Sequence, residues 1–132
     1  MVHSIEIASE LASINDVREF LERIFKESNL KNGNFNRIFL ALSEAVNNAI
    51  VHGNKHNTSK KVFVKVFHQD KNLVFEVSDE GQGFSFDCIE DPTSHQNLKN
   101  EKGRGIFIIR QVAEEVEYLE EGRKVRIRFK LD

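Results

Sequence analysis

Glu44, Asn48 and His52 recur at steps of four along the stretch SEAVNNAIVHGN, most of whose other residues are apolar or small. Side chains four apart on an α-helix differ by about 40° around its axis, so these three form one polar stripe, with Asn47 beside it. Such a stripe has chemical uses. A carboxylate can orient or deprotonate a hydroxyl, and an amide oxygen suits a hard cation. A solvated helix edge or a self-satisfied hydrogen-bond ladder would also account for it, so the remainder of the chain decides which reading gains.

Two glycine turns supply partners for the stripe. DEGQG, from Asp79 to Gly83, comes straight off the run LVFEVS. Its glycines let the backbone turn sharply and approach a ligand without a Cβ in the way, and the Asp79 carboxylate can accept a hydrogen bond from an exocyclic amine. KGRGI, from Lys102 to Ile106, is a second glycine turn, predicted to open a helix. Free N–H groups and the helix dipole favour phosphate there, with Lys102 and Arg104 adding charge. Either turn alone also fits an ordinary connection. His3, His56, His68 and His95 show no metal-ligand spacing with His52, for which a structural role is expected.

The elements that must position these groups are legible from periodicity. VHSIEIA, residues 2 to 8, alternates as a short strand with Ile5 and Ile7 toward a core. SINDVREFLERIFKES puts Ile14, Val17, Leu21, Ile24 and Phe25 on one face of a helix ending near Ser28, with Ser13 and Asp16 as a capping-box-like start. A second helix spans Phe35 to His52 through Ile38, Ala41, Leu42, Ala45, Ala49 and Ile50, and Gly53 stops it. KVFVKVFH and NLVFEVSD form a hairpin around Gln69, Asp70 and Lys71. Residues 87 to 102 show no sustained period and are expected to form a loop or lid. A third helix follows through Ile106, Ile109, Val112, Ala113 and Val116, then two strands around a Glu121-Gly122 turn, the last alternating Val125, Ile127, Phe129 and Leu131. This order predicts an α+β fold: a two-layer α/β sandwich whose mixed, mainly antiparallel sheet carries helices on one face. No repeat, linker or low-complexity tract divides residues 1 to 132, so a single domain is expected.

Composition agrees with one folded core. The 132 residues are 39% apolar, with eleven Phe against one Pro and seven Gly, which argues against disorder over most of the length. A formal charge of -2, from nineteen basic and twenty-one acidic residues, gives no broad electrostatic case for nucleic acid or an anionic membrane as partner. One cysteine, Cys88, allows no internal disulfide, and no apolar run has the length of a signal peptide or a membrane span; the cytoplasm is the expected compartment.

Glu-x-x-x-Asn on a helix, Asp-x-Gly-x-Gly after a strand and Gly-x-Gly opening a helix, in that order within one small domain, resemble the GHKL family of ATP-binding domains, the Bergerat fold. Within it, LALSEAVNNAIVHGN and the short chain are similar to the anti-sigma-factor serine/threonine-protein kinases, and the likeness runs from ASELASINDVREFLERIF to KVRIRFKL. The resemblance implies an ATP- and Mg²⁺-dependent kinase. Glu44 falls on the base toward the attacking hydroxyl, Asn48 on the Mg²⁺ ligand, and Asp79 on the aspartate that binds the adenine amine. Gly81 and Gly83 match the turn beside the base, Gly103 and Gly105 match the box whose amides hold phosphates, and Lys102 or Arg104 would reach the γ-phosphate. It further implies partner switching: a STAS-domain anti-anti-sigma factor as substrate, a sigma factor or other regulator as client, and a homodimer. The charged exterior of the first helix, Arg18, Glu19, Glu22, Arg23 and Lys26, is the expected partner face. Two features depart from the pattern. Many relatives carry Gly-Thr in the last hairpin, where this chain has Gly122-Arg123-Lys124-Val125, and there is no obvious glycine-rich lid, although Ser94 to Lys102 would cover a nucleotide. The alternative is a non-catalytic sequestering module with weak or lost nucleotide binding; the presence of Glu44 and Asn48 opposes it, because sequestration needs no base beside a phosphate.

Overall fold

Alternating valines and aromatics build the sheet. The computed structural model describes residues 2–81 and 101–131. Its strands are β1 (Val2–Ala8), β2 (Lys61–Gln69), β3 (Asn72–Ser78), β4 (Glu115–Leu119) and β5 (Lys124–Lys130), in the spatial order β1-β2-β3-β5-β4. All four pairings are antiparallel. The register lines up Val64, Val77 and Val125, then Val66, Phe75 and Ile127, so one face is a continuous apolar surface.

That face is covered by α1 (Ile14–Glu27), α2 (Phe35–Asn48) and α3 (Glu101–Val112). Val17, Leu21 and Ile24 of α1, Ile38 and Leu42 of α2, and Ile109 of α3 join the sheet's inner residues in one buried cluster. Burial on this scale, roughly 1.5–3 kcal/mol for each large aliphatic or aromatic side chain, is the main force holding helices to sheet. The opposite face is mixed, with Val2, Phe63, Phe67 and Val74 beside charged residues. Arg126 reaches Glu76 on one side and Glu117 on the other, and Arg128 pairs with Glu115. The two-layer α+β sandwich read from the sequence is the architecture observed.

Local structure departs from expectation in five places. Ser13 makes no side-chain cap; it ends a 3-10 turn, Leu11–Ser13, that feeds directly into α1 with helical dihedrals. The second helix is α-helical only to Asn48, after which Ala49–Gly53 forms a π-turn. Helix α3 starts at Glu101, so Lys102, Gly103, Arg104 and Gly105 lie inside its first turns rather than in a loop before it. It also stops at Val112, because the Glu114 N–H bonds the Arg128 carbonyl at 2.8 Å and draws the chain into the sheet, placing Val116 in β4 opposite Ile127. The first hairpin closes over two residues, Asp70 and Lys71, with Asp70 at φ 56°. Residues 87–100 of the expected lid lie outside the described residues, and Glu101 and Lys102 belong to α3. No described helix is long and apolar enough to cross a membrane.

Candidate functional site

The polar stripe sits where α2, α3, the end of β3 and the last hairpin meet. A cavity of about 440 Å³, open mouth included, is walled by Ala45 and Ala49 of α2, Val77 of β3, and Ile106 and Ile109 of α3. Polar groups interrupt these walls at Asn48, Asp79, Tyr118 and Arg123. Apolar walls with a few placed polar groups suit a flat heteroaromatic ring that carries hydrogen-bonding edges.

Asp79 lines the cavity directly after β3. Its N–H donates to the Arg123 carbonyl at 2.9 Å, which ties the strand exit to the last hairpin, and its Oδ1 accepts the Gly81 N–H at 2.8 Å. Close approach explains the glycines here. A Cβ on Gly53 would overlap the Asp79 carboxylate, and one on Gly81 would collide with the Gly53 carbonyl oxygen. Gly81 is therefore required by its packing against the end of the π-turn. Gly83 lies outside the described residues.

Glu44 and Asn48 are both half-buried on α2, and Asn48 lines the same cavity as Asp79. A Cβ on Gly105 would stand 2.9 Å from Glu44 Oε2 and 3.3 Å from both polar atoms of the Asn48 amide. Gly105 of α3 thus packs directly against the polar side chains of α2, and a methyl group there would press on the Glu44 carboxylate and the Asn48 amide. Gly103 and Gly105 both lie within the described part of α3, and Gly105 is the one that packs against Glu44 and Asn48. The side chains of Lys102 and Arg104 lie outside the described residues.

Asn48 Oδ1 is buried and accepts no hydrogen bond. A neutral oxygen left in that state costs free energy unless a ligand completes it, and an amide oxygen is a donor that Mg²⁺ takes. Among the described residues no group of three or more His, Cys, Asp or Glu gathers to hold a metal. The donor set therefore fits a cation held mainly by phosphate oxygens and water, with one protein ligand. His52 lies in the π-turn and does not line the cavity.

Sequence reasoning missed four residues around the cavity. Tyr118, the only tyrosine, lines the cavity. Burial pushes its phenol up to about 12, and the Arg110 guanidinium, 5.9 Å from the ring centre, pulls it partly back. Its place opposite Val125 on the inner face of the last hairpin was the available signal. Gly53, read only as a helix stop, makes room for Asp79. Asn54, which follows it, is fully engaged in holding the turn. Arg123, where relatives carry Thr, lines the cavity and anchors Asp79 through its backbone.

Residues 7–129 match the family model of the histidine kinase-like ATPase domain, and the chain belongs to that family. A crystal structure of the RsbU and RsbW domains of Rv1364c from Mycobacterium tuberculosis is similar, with a TM-score of 0.69 at 17% sequence identity. The match covers 99% of this chain and 32% of that one, so this chain spans about a third of the length of its structural neighbour. At that identity the likeness is one of fold. No curated protein sequence matches the chain. Membership in an ATPase-domain family implies ATP as the ligand class of the domain.

Proposed function

We propose that this protein is an ATP- and Mg²⁺-dependent serine/threonine-protein kinase of the anti-sigma-factor type, acting on a STAS-domain partner in the cytoplasm. The observation that carries the reading is that Asn48 and Asp79 line one cavity, while Gly105 packs against Glu44 and Asn48 on the adjoining helix. Asp79 would accept the adenine amine, the amides at Gly103 and Gly105 would hold phosphates, and Asn48 Oδ1 would hold Mg²⁺, whose charge would offset that of the phosphates. Glu44 orients the partner's serine hydroxyl. As that oxygen bonds to the γ-phosphorus and the bond to ADP breaks, Glu44 takes the hydroxyl proton. The new phosphate adds negative charge to the partner's contact surface and releases it, freeing the kinase for a sigma factor or another regulator. A homodimer belongs to the same reading.

Phosphotransfer from labelled ATP to a candidate STAS partner tests it. The wild-type protein is expected to transfer phosphate, and Glu44→Ala to lose on the order of 10²–10⁴ in rate while still binding ATP. Transfer undiminished in Glu44→Ala would sink the base assignment. Partner binding without any transfer by the wild-type protein would favour sequestration alone.

A further inference from the structure

One buried side chain joins several segments next to Asp79. Asn54 is 2% exposed, and both polar atoms of its amide are engaged. Nδ2 donates to Ser9 Oγ at 2.8 Å and to the Lys61 carbonyl at 2.9 Å, while Oδ1 accepts the Glu80 N–H at 2.8 Å. Ser9, itself fully buried, donates its own proton to the Lys60 carbonyl at 2.6 Å, which leaves its oxygen as an acceptor for Asn54. Glu80 closes the circuit by accepting the Lys61 N–H at 2.6 Å. The Asn54 backbone N–H bonds the Ala49 carbonyl at 2.7 Å across the π-turn.

The network joins the residue after β1, the start of β2, the exit of β3 and the end of α2. Its position gives it leverage. Glu80, whose N–H it holds, follows Asp79, and Gly53, which precedes Asn54, lies against the Asp79 carboxylate. Asn48 and Glu44 lie upstream on the helix that the π-turn continues. An amide suits the position because it alone offers two donors and an acceptor in this shape; Asp would face the Lys61 carbonyl with a lone pair.

We infer that Asn54 is a positioning residue of the nucleotide site, holding the base-binding carboxylate of Asp79 in register with Glu44 and Asn48 at the phosphate end. The inference rests on the nucleotide reading of the cavity. A purely structural network would stabilise the fold without bearing on which base is bound; a positioning residue acts through Asp79.

The test is a double-mutant cycle on nucleobase discrimination. Affinities for ATP and ITP, which lacks the exocyclic amine, are measured by calorimetry for wild type, Asn54→Ala, Asp79→Asn and the double variant, alongside thermal melting. Wild type is expected to prefer ATP, and Asn54→Ala to reduce that preference on the order of tenfold. In the Asp79→Asn background the same change is expected to leave the ATP/ITP ratio alone. A lower melting temperature with an unchanged ratio, or losses that multiply across the cycle, would overturn the inference. Should Asn54→Ala not fold, Ser9→Ala, which removes one partner of Nδ2 together with the bond to the Lys60 carbonyl and leaves the Asn54 bonds to Lys61 and Glu80 in place, carries the test: a smaller loss of preference supports the assignment and an unchanged ratio overturns it. A wild-type protein that binds neither nucleotide overturns the cavity reading itself, and the inference with it.

Discussion

A buried amide oxygen with nothing to accept is the clearest single-residue sign of a ligand in this protein. Asn48 Oδ1 is in that position, on the wall that Gly105 crosses. Removing an unsatisfied acceptor relieves its desolvation cost, so Asn48→Ala is expected to leave the ligand-free protein as stable as wild type or more stable by up to about 1 kcal/mol. The same change is expected to abolish the Mg²⁺ dependence of ATP affinity. Denaturant unfolding without ligand, paired with nucleotide titrations with and without Mg²⁺, checks both halves. A clear loss of apo stability would mean that Asn48 is structural. The spacing from Glu44 to Asn48 was readable because helical periodicity is local. The neighbours of Gly53, Gly81 and Gly105 were not, because each glycine is demanded by a group distant in sequence.

Among the elements, the sheet is the part whose stability depends most on a named polar contact. Glu76 is 9% exposed on the outer face of β3, and Arg126 of the neighbouring β5 bonds it at 2.8 Å. The Glu76 carboxylate, bonding to it first of all, raises the Arg126 guanidinium above its ordinary value. Arg126→Ala would strand the Glu76 charge between strands, and is expected to destabilise by about 1–2 kcal/mol, the half-exposed arginine keeping the loss below that of a fully buried pair. Glu117→Ala, removing a half-exposed partner of the same arginine, should cost well under 1 kcal/mol. Urea unfolding of the two variants measures the difference; equal losses would mean that Glu76 is solvated well enough without its partner. Strand alternation placed β1, β2, β3 and β5 close to their observed limits, since a period of two is set by the pleat. The π-turn after Asn48 and the early start of α3 escaped prediction. The π-turn carries the chain to Asn54, whose partners come from distant segments, and α3 is placed by its crossing with α2.

For the molecule as a whole, the phenol of Tyr118 couples the cavity to global stability. Its folded value of about 12 lies above the ordinary 10, so its contribution is complete below pH 10 and is lost as the pH rises from about 10 to about 12. Two units correspond to at most about 3 kcal/mol. Unfolding free energies at pH 8 and pH 11 should fall more steeply for wild type than for Tyr118→Phe; parallel slopes would mean that the phenol is as hydrated folded as unfolded. By itself the sequence determined the two-layer α+β class, the helical stripe bearing Glu44 and Asn48, and the strand that ends at Asp79, because these follow from periodicity and from turn residues acting within a few positions. Only the tertiary structure decided that Gly105 packs on Glu44 and Asn48, that Tyr118 and Arg123 line the cavity, and that Asn54 joins four segments at once. Each of those relations links residues far apart along the chain, and such distances are set by packing in three dimensions.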